Sequence, residues 1–88
     1  MPAKVEIYSS PFCGYCARAK RLLDEKGVAY VDYDVMVDPS LRDAMLRRAE
    51  GRTTVPQIFI DGRAIGGSDE LHALERAGAL DALLAGTG

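Results

Sequence analysis

The chain has 88 residues, 48% of them apolar, and a formal charge of -2 from 11 Lys and Arg against 13 Asp and Glu. That length fits one compact domain over residues 1–88 with no room for a second. A charge so near balance argues against a nucleic-acid surface or an anionic membrane as the main partner and points to small or protein ligands.

Along the chain, Lys4 to Tyr8 alternates polar and apolar residues around Val5 and Ile7, the pattern of a strand, and Ser9-Ser10-Pro11 breaks it. From Gly14 to Lys26, Cys16, Ala19, Leu22 and Leu23 recur at helical spacing, with Gly27 placed to stop the helix. Ala29, Val31, Tyr33 and Val35 alternate with Tyr30, Asp32 and Asp34, which predicts a second strand with one buried face. Asp38-Pro39-Ser40 opens a second helix whose stripe of Leu41, Ala44, Met45 and Ala49 ends at Gly51. Val55 to Ile60 reads as a buried strand, and Asp61-Gly62 before Arg63-Ala64-Ile65 is a hairpin signal that makes strands three and four antiparallel. Gly66-Gly67-Ser68-Asp69 is a turn with a serine cap, followed by a helical segment carrying Leu71, Leu74, Leu80, Leu83 and Leu84, interrupted near Gly78.

Two cysteines in Phe12-Cys13-Gly14-Tyr15-Cys16 fall where the first strand turns into the first helix. A thiol there meets unpaired backbone N–H groups and the positive end of the helix dipole, both of which favour the nucleophilic thiolate. The N-terminal Met1-Pro2-Ala3-Lys4-Val5-Glu6 lacks the apolar run of a signal peptide, and no segment reaches the roughly 20 apolar residues that span a bilayer, so a cytosolic setting is expected. In such a reducing compartment a Cys-x-x-Cys pair acts in catalysis, redox sensing or metal binding more often than as a staple. A structural disulfide closing so small a loop would contribute only about 2 kcal/mol. A zinc site needs four Cys or His ligands, and the chain offers Cys13, Cys16 and His72 alone. His72 falls inside the last helical segment between Leu71 and Leu74 and is read as an ordinary helical histidine without a functional role.

The order β-α-β-α-β-β-α with Cys-x-x-Cys at the first helix is the thioredoxin-like α/β arrangement, a mixed four-stranded sheet with helices on both faces. Over nearly its whole length the chain resembles the glutaredoxins, most closely the small bacterial dithiol type. Three separated motifs carry the resemblance: Cys13-Gly14-Tyr15-Cys16, Thr54-Val55-Pro56 and Gly66-Gly67-Ser68-Asp69.

The resemblance implies a glutathione-dependent disulfide oxidoreductase in which Cys13 attacks and Cys16, three residues on along the same helical face, resolves. It also implies a cis Pro56 against the cysteines. Such a bond turns the Val55 N–H and C=O outward to pair with an extended peptide, and glutathione is one. Read alone, Pro56 equally fits the start of a strand. Gly67-Ser68-Asp69 opens a helix whose free N–H groups suit a carboxylate, and the Asp69 side chain suits an ammonium, which together match the γ-glutamyl end of glutathione. Tyr15 would cover the bound sulfur. For the glycyl carboxylate the family usually supplies a basic residue just before the active site, yet Ser9-Ser10-Pro11-Phe12 has none. Arg52 is a substitute cation, while Arg42, Arg47 and Arg48 are read as a solvated face of helix two.

The partners so implied are glutathione and disulfide-bearing or glutathionylated proteins, with no nucleic acid, no membrane and a monomeric chain. A plain thioredoxin is the nearest competing enzyme, but that family usually carries Trp before the first cysteine and Gly-Pro between the pair, and this chain has no Trp and reads Gly14-Tyr15. An alternative from another class is a 2Fe-2S carrier, in which Cys13 from each of two chains and two glutathione thiolates ligate the cluster. Gly14, where many dithiol members have proline, motivates it.

Overall fold

The computed structural model describes residues 2–86; Met1, Thr87 and Gly88, the ends of the expected 1–88 domain, lie outside the described residues. Its elements are β1 (Val5–Ser9), α1 (Gly14–Glu25), β2 (Val31–Asp34), α2 (Pro39–Arg48), β3 (Gln57–Ile60), β4 (Arg63–Gly66), α3 (Ser68–Arg76) and α4 (Leu80–Leu84). The strands form one sheet in the order β2-β1-β3-β4, with β1 parallel to β2 and antiparallel to β3, and β3 antiparallel to β4. This is the thioredoxin-like fold, and the expected break at Gly78 separates α3 from α4, with Gly78 at φ +73. Among the described residues no helix is long and apolar enough to cross a membrane.

The period of two in the strands sorts their side chains onto two cores. Val5, Ile7, Ile58 and Ile60 face one side and pack with Ala19, Leu22 and Leu23 of α1, Leu71 of α3, and Leu80 and Leu84 of α4. Tyr8 and Phe59 face the other and pack with Val35 and with Met45 and Ala49 at α2. Because helices cover both faces, every residue of β1 is buried, Glu6 included.

That burial corrects one expectation. Arg48 does not lie on a solvated face. It grips Glu6 with two hydrogen bonds, Nη2 to Oε1 at 2.9 Å and Nη1 to Oε2 at 3.0 Å, and Nη1 also donates to the Tyr8 hydroxyl at 2.9 Å. Its guanidinium carbon sits 4.1 Å from the centre of the Phe59 ring, and the Tyr33 hydroxyl donates to Glu6 Oε2 at 2.9 Å. A carboxylate inside a sheet must be paired to be tolerated, so α2 supplies the cation.

A second correction concerns β2. The strand forms, but it is an edge strand bonded only to β1, and Val31 is exposed instead of buried. The buried face read from its alternation is kept only by Val35, just past the strand, with Tyr33 half-buried.

Candidate active site

The first thiol is itself the cap of a helix. Cys13 has extended backbone, φ -115 and ψ 111, and its Sγ accepts the Cys16 N–H at 3.2 Å. An N-cap side chain accepts from the N2 or N3 amide, and here sulfur takes the place that Ser, Thr or Asp usually fills. The parallel pairing of β1 with β2 and the short loop through Pro11 bring α1 to start beside the ends of these strands. A Cβ at Gly14 would meet nothing within 4 Å, so glycine there adds backbone freedom without being required by space.

Cys16 lies one turn on and is only 1% exposed. Burial first and then the adjoining Cys13 sulfur push its thiol up to about 12, against an opposing pull from the Ser10 backbone. Both cysteines are free thiols. The two sulfurs therefore differ by position: Cys13 is partly accessible and held by an amide, while Cys16 is shielded and protonated.

The loop before β3 reaches the nucleophile. The Val55-Pro56 bond is cis, and the Cys13 thiol donates to the Val55 carbonyl at 3.6 Å. Gln57, at the start of β3 and buried, anchors this loop by donating from Nε2 to the Thr54 carbonyl at 2.8 Å and to Thr54 Oγ1 at 3.2 Å. The strand begins two residues later than its apolar run suggests, because Val55 and Pro56 are used to form the turn.

An open cavity of about 340 Å³ adjoins Cys13, lined by Tyr15, Arg52, Thr54, Val55, Pro56, Gly67, Ser68, Asp69 and Glu70. Every residue that the three motifs nominated around the cysteines thus meets in one groove. The wall closes because a Cβ on Gly67 would stand 3.4 Å from the Pro56 carbonyl, so the two motifs are in near contact.

The start of α3 differs from expectation in its cap. Gly67, and not a serine, is the N-cap, and the helix N-terminus is served from inside by Glu70, whose Oε1 accepts the Gly67 N–H at 3.1 Å. Ser68 is buried as the first helical residue, and His72 Nδ1 lies 2.8 Å from its carbonyl oxygen, so that ring is tied to the helix backbone one turn back.

Arg52 enters the groove wall, and its Nη2 is paired with Glu70 Oε1 at 3.0 Å. Glu70 is the groove residue that sequence reasoning missed. The signal was present: a Glu three residues after the N-cap is the acidic half of a capping box. Its carboxyl is held below the ordinary value, first by the Gly67 N–H and then by Arg52. Among the described residues no cluster of three or more metal-binding side chains occurs.

The glutaredoxin family model matches residues 5–65. The chain is 51% identical over 82 residues to glutaredoxin 3 of Escherichia coli, an alignment covering 93% of this chain and 98% of that one. Among solved structures, a glutaredoxin from Brucella melitensis superposes with a TM-score of 0.83 at 49% identity, covering 99% of this chain and 92% of the other. A buckwheat glutaredoxin–glutathione complex superposes with a TM-score of 0.87 at 32% identity, covering 98% of this chain and 80% of that chain. With family model, sequence and fold in agreement over nearly the whole chain, it belongs to the glutaredoxin family and is a thiol–disulfide oxidoreductase.

Proposed function

We propose that the reaction depends on glutathione and runs through a Cys13 thiolate in a reducing, cytosolic setting. The single observation that carries this reading is the groove itself: the cis-proline loop, Tyr15 and the start of α3 line one cavity beside the Cys13 sulfur. An extended peptide laid along Val55 pairs with its backbone as an added strand does, which leaves the thiol of its central residue beside Cys13. The N-terminus of α3 at Ser68 and Asp69 suits a carboxylate, and the exposed Asp69 side chain suits an ammonium. That one of the similar solved structures is a glutathione complex supports the choice of tripeptide.

In the proposed reaction the Cys13 thiolate attacks the glutathione-side sulfur of a mixed disulfide. The S–S bond breaks, Cys13 becomes glutathionylated, and the substrate sulfur leaves as a thiolate that takes a proton from water. A second glutathione thiolate then attacks the glutathione sulfur of that adduct, freeing Cys13 and yielding oxidised glutathione. With an intramolecular protein disulfide, Cys13 forms a mixed disulfide with one protein sulfur. Cys16 then attacks the Cys13 sulfur, releasing the protein dithiol and leaving a Cys13–Cys16 disulfide that two glutathione thiols reduce in turn, yielding oxidised glutathione. Cys13→Ser should abolish all exchange, whereas Cys16→Ser should retain deglutathionylation and lose protein-disulfide reduction. Equal loss in both variants would overturn these roles.

A second reading, a 2Fe-2S cluster shared between two copies, is favoured by the surroundings of Cys13. Phe12 is 96% exposed and Tyr15 59%, so an apolar rim flanks the accessible sulfur and offers a seat for a second copy. One copy contributes one accessible thiol, so glutathione would complete the ligand set. A colourless protein after anaerobic reconstitution with iron, sulfide and glutathione would remove this reading.

A further inference from the structure

Glu70 and Arg52 form an ion pair inside the groove where an anionic ligand is expected to sit. One carboxylate oxygen, Glu70 Oε1, accepts both from Arg52 Nη2 at 3.0 Å and from the Gly67 N–H at 3.1 Å. Fold and pair are fitted to each other. Gly66, at φ +110 on the last position of β4, leaves the space the pair occupies: a Cβ there would stand 2.5 Å from Glu70 Oε1 and 3.0 Å from Arg52 Nη1. Both side chains are about half exposed, 51% for Arg52 and 44% for Glu70, so the pair lies where solvent and ligand reach it. The Gly67 and Arg52 hydrogen bonds favour the ionised Glu70 carboxylate at neutral pH.

The groove's other anion, Asp69, lies next in sequence, so Arg52 is the single cation among the lining residues and it is already matched. A ligand with two carboxylates and one ammonium carries net negative charge and meets a wall with two carboxylates and one guanidinium. We propose that Glu70 sets the affinity of the groove by acting as a built-in competitor, holding the Arg52 guanidinium that a ligand carboxylate would otherwise take. The inference rests on the glutathione reading above and deepens it. It explains how the groove can lack a lysine before Cys13: the cation is present, but on loan to Glu70. A weakly held peptide also leaves quickly, which an enzyme that must admit two glutathione molecules in turn requires.

Glu70→Gln tests this, because the amide oxygen still reaches the Gly67 N–H and keeps the helix cap while the charge is lost. The KM for glutathione in reduction of a glutathione mixed disulfide should fall about threefold, the worth of an exposed ion pair. It should also become more sensitive to salt, since Arg52 then faces the ligand alone. Adding Arg52→Gln should erase the gain. An unchanged or higher KM in Glu70→Gln, or a gain that persists without Arg52, would overturn the proposal.

A second readout separates this from failure of the glutathione reading itself. Labelling of Arg52 by phenylglyoxal, mapped by mass spectrometry in protein without ligand, should speed up in Glu70→Gln. If it does and glutathione still shows no saturable effect on the wild type, the ligand assignment falls while the pair stands. Should the labelling rate be unchanged, the competitor is refuted whatever glutathione does.

Discussion

The two faces of the sheet are built on different physics, and the groove depends mainly on one of them. On the face covered by α1, α3 and α4 the contacts are aliphatic: Ile7, Leu23, Ile58, Leu71 and Leu80 are all fully buried. The helix capped by Cys13 and the helix that begins at Ser68 both rest on this layer, so the distance between nucleophile and groove wall is fixed by close packing. The face under α2 is aromatic and charged, with Tyr8, Tyr33 and Phe59 stacked around the Glu6–Arg48 pair. It reaches the groove through Val55, which packs against its edge. What the difference teaches is that an apolar layer positions the chemistry, while the charged layer adds specificity to the pairing of α2 with β1.

The largest change should come from the first face. Leu71→Ala, at a fully buried residue of α3, is expected to cost about 2–5 kcal/mol and to loosen the wall formed by Gly67, Ser68 and Asp69. Chemical denaturation and the KM for glutathione should therefore move together.

Removing the cation on the other face comes next. Arg48→Met leaves Glu6 buried beside one tyrosine hydroxyl, at an expected cost of about 3 kcal/mol. Here stability should drop with little change in KM once the protein is folded, and a parallel rise in KM would break the contrast between faces.

The same pair gives a pH signature. Hydrogen bonding from Arg48 chiefly, opposed by burial and aided by Tyr33, holds the Glu6 carboxyl below its ordinary value of 4.5. A depressed carboxyl contributes stability that is complete above that ordinary value and is lost as pH falls through the folded one. Unfolding free energy of the wild type should thus decline below about pH 4 more steeply than that of Glu6→Gln, and parallel curves would show that the pair carries no such linkage. The smallest effect is expected from Tyr33→Phe, about 1 kcal/mol for one hydrogen bond to Glu6.

The same contrast governs what the sequence made legible. The aliphatic face was readable because Val5, Ile7, Leu22, Leu23 and Leu71 follow the periods of strand and helix, and Asp61-Gly62 and Gly78 mark turns by their own backbone needs. The charged face was not. Glu6 and Arg48 are 42 residues apart, and nothing local distinguishes an arginine turned toward a buried carboxylate from one in water. Val31 misled because alternation reports a strand and not whether a helix covers it. In the site, the motifs found the walls. Arg52 was named as a cation for the groove, but its pairing with Glu70 escaped because the two meet only across the fold, although the spacing of Glu70 from Gly67 pointed to the cap.

The most direct test of the central claim, that the partly accessible sulfur of the pair is the nucleophile and the other is held back by burial, is alkylation of the reduced protein. Iodoacetamide at pH 7 with peptide mapping should label Cys13 and leave Cys16 unmodified until the protein is denatured, as the 1% exposure of Cys16 and its thiol pushed up to about 12 require. Comparable labelling of both thiols in the folded protein would contradict it.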